Sequence, residues 1–134
     1  MNQQLLNIGE AALASGISAK MIRHYEAAGL IPAAGRSLSG YRLYNPQDIH
    51  RLRFIRHARD LGFSMTQIAE LLSLWQDRNR PSSKVKQLAQ QHVAALEQKI
   101  QALNAIREQL EQLQQTCHGD TRPDCPILEK LAGS

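Results

Sequence analysis

The sequence predicts a mainly α-helical protein with a small N-terminal domain, a long helix and a short C-terminal loop followed by a last helix. Short segments with helical apolar spacing, opened by capping residues or closed by glycine, make up most of the first 75 residues. Residues 82–116 then contain neither Gly nor Pro, and two cysteines separated by seven residues follow. The predicted division is therefore 1–75, 76–116 and 117–134.

The first two helices are predicted to form a helix-turn-helix. Gly16 closes the first helix, and Ser18 can cap a second helix over 19–28. Three polar side chains three to four residues apart share one face of that second helix: Lys20, Arg23 and His24. A recognition helix needs long donors of this kind for phosphates and base edges, although any exposed helix also has a polar face.

Residues 31–45 are predicted to form a small β-hairpin. Pro32, Gly35 and Gly40 interrupt the chain there, and the residues after Gly40 alternate as in a strand. A DNA-binding wing would use Arg36, Tyr41 and Arg42 at this place, because Arg supplies charge and Tyr a hydroxyl to phosphates. The alternative is that the tyrosines only pack the hairpin. We expect Tyr44 in the core and Tyr41 in solvent.

Two more helices complete the N-terminal domain. Asn45 and Pro46 open a third helix over 46–61, with three apolar side chains expected to face inward: Leu52, Ile55 and Leu61. Four arginines are expected mostly on its outer side: Arg51, Arg53, Arg56 and Arg59. Ser64 and Gln67 have the spacing of a capping box and open a fourth helix that ends near Trp75.

The long helix carries a repeating row of apolar residues. Its members are spaced three and four apart, with one register skip after residue 103: Val93, Leu96, Ile100, Leu103, Ile106, Leu110 and Leu113. We call this set the apolar stripe. One helix cannot bury such a stripe alone, and the N-terminal domain is too small to cover it, so the pattern predicts a homodimer.

Charge is concentrated in the first half of the chain. Residues 1–64 carry eight basic and four acidic side chains, whereas 65–134 carry eight of each. This asymmetry favours a polyanionic partner such as nucleic acid, with a merely basic surface as the alternative.

No apolar run reaches the roughly 18 residues of a membrane span, and the first residues do not resemble a signal peptide, so we expect a cytoplasmic protein. No catalytic constellation is visible, and no enzymatic activity or organic cofactor is expected.

The two cysteines flank a loop directly after the long helix. Cys117 and Cys125 enclose Gly119 and Pro123, which permit a tight turn, and Asp124 or the loop before it can cap a short last helix. A thiolate at a helix start is stabilised by the dipole. Three interpretations follow: a two-thiolate site for Cu(I) or its congeners, a redox-switched disulfide, or inert packing.

Four segments taken together resemble the MerR family of transcription regulators. They are Ile8–Ala12, Met21–Ile31 (MIRHYEAAGLI), Arg36–Tyr44 (RSLSGYRLY) and Ile55–Ser64 (IRHARDLGFS). The C-terminal run CHGDTRPDCPIL is similar to the copper-efflux branch of that family, which includes gold sensors.

The resemblance implies a winged helix-turn-helix homodimer that binds double-stranded promoter DNA. Metal binding would favour a conformer that distorts an overlong promoter and realigns its elements for RNA polymerase. By resemblance, the DNA-contacting residues lie on the recognition helix, the wing and the next helix: Lys20, Arg23, Tyr25, Arg36, Tyr41, Arg42 and Arg59.

The same resemblance assigns the metal ligands. Cys117 and Cys125 fall on the two metal thiolates, and Ser82 falls near the partner subunit's metal loop, where relatives that sense divalent ions are expected to carry a third Cys. Ser82 could equally be a simple helix cap. Two thiolates and one Cu(I), Ag(I) or Au(I) leave one negative charge, which Lys86 can help to offset. The alternatives are a zinc- or lead-responsive regulator with Asp or His ligands, and a redox switch of the same fold.

Overall fold

The computed structural model describes residues 4–133 and is mostly helical. Its elements in chain order are α1 (Ile8–Ser15), α2 (Ala19–Ala27), β1 (Gly35–Arg36), β2 (Arg42–Leu43), α3 (Pro46–Asp60), α4 (Met65–Gln76), α5 (Ser82–Thr116) and α6 (Pro126–Leu131). The mainly helical fold class is confirmed, and each predicted helix is present with bounds close to those expected. The interpretation of the first residues as lacking a signal sequence rests partly on residues 1–3, which lie outside the described range.

The chain divides into two compact units, Met1–Val85 and Lys86–Ser134. The first unit contains α1 to α4 and the hairpin. The second contains most of α5, the cysteine loop and α6.

The helices of the first unit begin and end where their capping residues require. Asn7, Asn45 and Ser64 each accept a backbone N–H in a reciprocal capping box, and Ser18 accepts the Met21 N–H. Gly16 ends α1 with φ +74°, a left-handed conformation that costs other residues about 1 kcal/mol or more. Strong local signals therefore fix the boundaries of these helices.

The core of the first unit is made of apolar side chains from all four helices and from both ends of the hairpin. It contains Ala11, Ile17, Ile22, Tyr25, Ile31, Tyr44, Ile49, Leu52, Ile55, Ala58, Ile68 and Leu72. Tyr44 is fully buried and Tyr41 is 71% exposed, which confirms the expectation for the two tyrosines. The expectation for Leu61 is wrong: its side chain is 65% exposed, because Leu61 is already the C-cap residue of α3.

The hairpin is short and depends on the rest of the unit. Its ladder consists of two residue pairs, Gly35 with Leu43 and Arg36 with Arg42. One further bridge joins Tyr44 to Leu6, with two backbone hydrogen bonds of 2.8 Å. Because an isolated two-stranded hairpin is marginally stable in water, contacts with the helices must hold it in place.

The second unit has a different character. Six members of the apolar stripe, from Val93 to Leu110, are 36–64% exposed, and Leu113 is half-buried. Leu128 and Leu131 on α6 are also exposed. Asp124 does not cap α6 as expected: Cys125 is the N-cap residue, and its side chain makes no capping hydrogen bond. No helix in the described range is long and apolar enough to cross a membrane.

Candidate DNA-binding surface and cysteine loop

The second helix presents an exposed basic face beside the hairpin. The side chains of Lys20, Arg23 and His24 are exposed, while Ile22 and Tyr25 on the other side are buried in the core. The alternation follows from helical periodicity: residues three to four apart share a face. The basic side chains are therefore free to contact a ligand while the helix itself is held rigidly.

The hairpin, which we call the wing, is closed by hydrogen bonds around its tip. The Ser37 N–H donates to the Tyr41 carbonyl at 2.8 Å, and Nη1 of Arg36 donates to the Gly40 carbonyl at 3.0 Å. Gly40 has φ +86°, as this tight turn requires. Part of the Arg36 guanidinium thus stabilises the wing itself, while the Tyr41 ring projects into solvent.

One carboxylate joins the second helix to both strands of the wing. Oε1 of Glu26 accepts the Ala34 N–H at 3.0 Å, and Oε2 accepts the Tyr44 hydroxyl at 3.0 Å. Nε of Arg42 is buried and lies 3.6 Å from the same Oε2, an ion pair rather than a hydrogen bond. The sequence analysis assigned no function to Glu26. Glu26 is the single acidic residue of α2, and this difference from its basic neighbours could have indicated a separate function.

The surroundings of Tyr44 change its acidity. Burial, then the hydrogen bond and the negative charge of Glu26, raise the pKa of Tyr44 to about 12, against a smaller opposing effect of Arg42 and Arg23. The phenol therefore stays protonated and keeps donating to Glu26 over the physiological pH range.

The Tyr25 hydroxyl is tied to the third helix. Nη1 of Arg59 donates to this hydroxyl, and the guanidinium carbon lies 5.9 Å from the ring centroid. Tyr25 as a whole, including its hydroxyl, is only 1% exposed, and it lies at the wall of the groove described next. Arg56 and Arg59 also line an open groove of about 330 Å³ at the start of α2, together with Ser18 and Met21.

The two cysteines lie at the ends of a loop between α5 and α6. Cys117 follows α5 directly, and its N–H continues the helical pattern by donating to the Leu113 carbonyl at 3.1 Å. The Cys125 carbonyl accepts the Glu129 N–H at 3.1 Å in the first turn of α6. Both residues are half-buried and carry free thiols. A pair of thiols is the donor set that soft metal ions prefer, so these residues fit such an ion.

The loop between the cysteines contains a local ion pair. The Asp120 carboxylate accepts the Arg122 N–H at 2.9 Å and the Arg122 Nε–H at 2.9 Å, and Nη2 lies 2.9 Å from it. Gly119 has φ +67°, which allows the chain to turn just before this pair. Within residues 4–133, no three His, Cys, Asp or Glu side chains form a group that could hold a metal ion.

The remaining predicted residues lie at the start of the long helix. Ser82 is the first residue of α5, and both Ser82 and Lys86 are exposed. The Pro81 carbonyl accepts the Lys84 N–H at 3.2 Å and so begins this helix.

Two family profiles match most of the chain. The profile described as "MerR HTH family regulatory protein" matches residues 6–75, and the one described as "MerR, DNA binding" matches residues 49–113. The chain belongs to the MerR family of transcription regulators. It is therefore a DNA-binding regulator with a helix-turn-helix, as the sequence analysis inferred from the resemblance.

Individual MerR-family proteins are similar over almost the whole chain. The transcriptional regulator HmrR of Sinorhizobium medicae is 58% identical over 95% of this chain and 86% of its own length. The regulator CueR of Escherichia coli is 41% identical over 96% of this chain and 95% of its own. The crystal structure of PbrR691 from Ralstonia metallidurans in complex with lead(II) superposes with a TM-score of 0.81 at 31% identity, covering 94% of this chain and 98% of that one.

Proposed function

We propose that this regulator is a homodimeric activator of metal-efflux genes that responds to a monovalent soft metal ion. Cys117 and Cys125 would hold Cu(I), Ag(I) or Au(I). The observation that carries the proposal is the pair of free, half-buried thiols at the two ends of one short loop, in a chain 41% identical to CueR. Heavy-metal-dependent transcription regulators are also among its relatives.

The chemistry of the loop favours a monovalent ion. Two thiolates are sufficient for Cu(I) and its congeners, which accept two-coordination, whereas Zn(II) normally takes four ligands. The loop contains two carboxylates, Asp120 and Asp124, and Asp120 is already engaged by three N–H groups of Arg122. A third ligand from Asp120 would require breaking that pair. The positive charge of Lys86 is proposed to help balance the negative charge of the filled site.

A bound ion would connect the end of α5 to the start of α6. We propose that this connection favours a dimer conformation that distorts promoter DNA and so aligns its elements for RNA polymerase. Such indirect readout uses the energy of DNA deformation, and it requires only that metal favour one conformer over another. The exposed apolar stripe supports the homodimer, because a row of this length is rarely left in water.

The DNA would be bound by the surface already described. Lys20 and Arg23 on α2 would enter a groove of the duplex. The wing would contact its backbone through Arg36, Tyr41 and Arg42, and the third helix through Arg59. Tyr25 of α2, whose hydroxyl accepts from Arg59, is included by resemblance to the family. These assignments rest on the family resemblance and on charge: the guanidiniums and the ammonium lie on one unit whose basic residues outnumber its acidic ones.

The test is a metal titration of the reduced protein against a competing thiol, with Cu(I) and Zn(II) in parallel. We expect one Cu(I) per loop, with binding lost in Cys117→Ser and in Cys125→Ser but kept in Asp120→Asn. Cu(I) binding that survives Cys125→Ser would contradict the two-thiolate site.

A divalent ion is the second candidate, because PbrR691, a solved structural relative, is described as bound to lead(II). Tighter binding of Zn(II) or Pb(II) than of Cu(I), lost in His118→Ala, Asp120→Asn or Asp124→Asn, would favour this candidate. If the thiols instead form a reversible disulfide and no metal binds, the cysteines form a redox switch.

A further inference from the structure

We infer that Glu26 is a positioning residue that fixes the wing relative to the recognition helix and thereby sets the specificity of DNA binding. This inference rests on the proposed use of α2 and the wing as the DNA-binding surface. It concerns a residue that contacts the DNA-binding groups rather than the DNA.

The wing needs an anchor because its own structure is weak. Two residue pairs hold its strands together, and Leu38 at its tip is fully exposed. The wing still has to present Arg42 and Tyr41 at a fixed distance from Lys20 and Arg23 on α2. If the wing moved freely, each of these contacts would cost additional ordering on binding.

Glu26 supplies this anchor through contacts that are distant in sequence. The Ala34 N–H lies just before β1, whereas Arg42 and Tyr44 lie in and just after β2, so one carboxylate holds both strands. The side chain of Glu26 is only 13% exposed, and that of Tyr44 is fully buried. Polar groups hydrogen-bonded in such surroundings are costly to leave unpaired, which makes the connection rigid.

The same carboxylate orients the Arg42 guanidinium. Nε of Arg42 is buried against Oε2, while the side chain as a whole remains 35% exposed. The edge of the guanidinium that faces away from Glu26 can therefore meet a phosphate. An arginine held by a carboxylate on one side loses less side-chain entropy when it binds on the other.

The inference is testable because a purely electrostatic effect of Glu26 would change DNA affinity in the opposite direction from a positioning effect. A carboxylate near a DNA-binding surface repels phosphates, so its removal should strengthen binding to every duplex. A positioning residue instead strengthens binding to the specific site, and its removal should weaken that binding. The sign of the change distinguishes the two roles.

The test compares Glu26→Gln with Glu70→Gln in the full-length protein. Glutamine keeps the volume of Glu26 but offers one acceptor oxygen, so the Ala34 N–H or the Tyr44 hydroxyl loses its acceptor and Arg42 loses its counter-charge. Glu70 is an exposed carboxylate on α4 in the same unit, and its substitution removes the same charge elsewhere. The probes are the duplex that the wild-type protein selects from a randomised library and poly(dI-dC) as non-specific DNA.

We expect Glu26→Gln to bind the selected duplex about tenfold more weakly, while its affinity for poly(dI-dC) is unchanged or higher. Glu70→Gln should keep the wild-type ratio of specific to non-specific affinity. Tyr44→Phe removes one hydroxyl and should lower the same ratio by a smaller factor, so the test does not depend on one variant folding. Equal or tighter binding of the selected duplex by Glu26→Gln would overturn the inference.

Hydrogen exchange of the Ala34 amide provides a second readout that needs no DNA. In Glu26→Ala, which removes both acceptor oxygens, this amide should exchange about tenfold faster, and in Glu70→Ala it should exchange as in the wild type. Unchanged exchange would also overturn the inference. If the wild type selects no duplex at all, the proposed function fails, and the Ala34 exchange still decides whether Glu26 anchors the wing.

Discussion

The two units of this chain stabilise themselves in different ways. The first unit, Met1–Val85, encloses a core of twelve buried apolar residues and satisfies its helix ends with capping side chains. In the second unit, Lys86–Ser134, the apolar stripe and the α6 leucines are exposed. The first unit thus buries its own apolar side chains, whereas the second exposes apolar surface that the proposed partner protomer would bury.

The largest expected effect comes from removing that apolar surface. Leu96→Asp together with Ile100→Asp should give a monomer, since two carboxylates would be buried in the proposed interface. Specific DNA binding should fall about 10³-fold, because one DNA-binding unit then has to bind alone. Analytical ultracentrifugation and DNA titration measure both effects. The matched control places the same charges off the stripe, as Gln98→Asp with Gln101→Asp, and should remain a dimer. A double variant at 96 and 100 that stays dimeric would contradict the proposed interface.

Alkaline pH should destabilise the first unit through Tyr44. Its pKa is raised from 10.0 to about 12 in the folded state. Between these pH values the unfolded chain releases the phenolic proton while the folded chain keeps it, so stability is complete below pH 10 and falls as the pH rises. The loss should reach about 2–3 kcal/mol.

Chemical denaturation of wild type and Tyr44→Phe across this pH range isolates the effect from the titration of lysines. The stability difference between the two proteins should shrink as the pH rises. Parallel curves for the two proteins would show that burial and Glu26 do not raise the pKa of Tyr44 in the folded state.

A substitution at the start of α5 tests whether one protomer completes the metal site of the other. Ser82→Cys should add a third soft ligand and a negative charge, and so produce a response to Pb(II) or Hg(II), with induction rising about tenfold in a transcription assay. Ser83→Cys adds the same thiol on another side of the helix and should leave the response to metals as in the wild type. An equal response to Pb(II) or Hg(II) from both variants would show that position 82 is no closer to the metal site than position 83.

The smallest effects are expected for single arginines. Arg23→Ala and Arg42→Ala should each weaken specific DNA binding by about 1 kcal/mol without unfolding the protein, and Arg42→Ala should reduce the salt slope by up to about 1. Arg107→Ala removes the same charge from the second unit, where the guanidinium lies 3.7 Å from Glu111. It should bind DNA as the wild type does. Unchanged affinity for both Arg23→Ala and Arg42→Ala over a salt series would mean that the DNA-binding surface is wrongly assigned.

Local chemistry explains why most of the fold could be predicted from the sequence. Gly16, Ser18 and the Ser64–Gln67 capping box specify helix ends through a few neighbouring residues, and the structure has the helix boundaries there. The segment without Gly or Pro became α5 over its whole predicted length, Ser82–Thr116. The positions of Cys117 and Cys125 around one loop were likewise visible, because their separation is a property of the chain itself.

Only the tertiary structure determined which side chains contact or hydrogen-bond one another. Leu61 has the spacing of a core residue but lies exposed at the end of α3, where it is the C-cap residue. Glu26 looked like one more polar residue on a helix, yet it bonds to groups 8 and 18 residues further along the chain. Such partners cannot be read from periodicity or capping, since they depend on how the wing folds back onto α2. The sequence by itself therefore determined the elements and the candidate ligands, while the three-dimensional packing determined which residues hold the DNA-binding surface in shape.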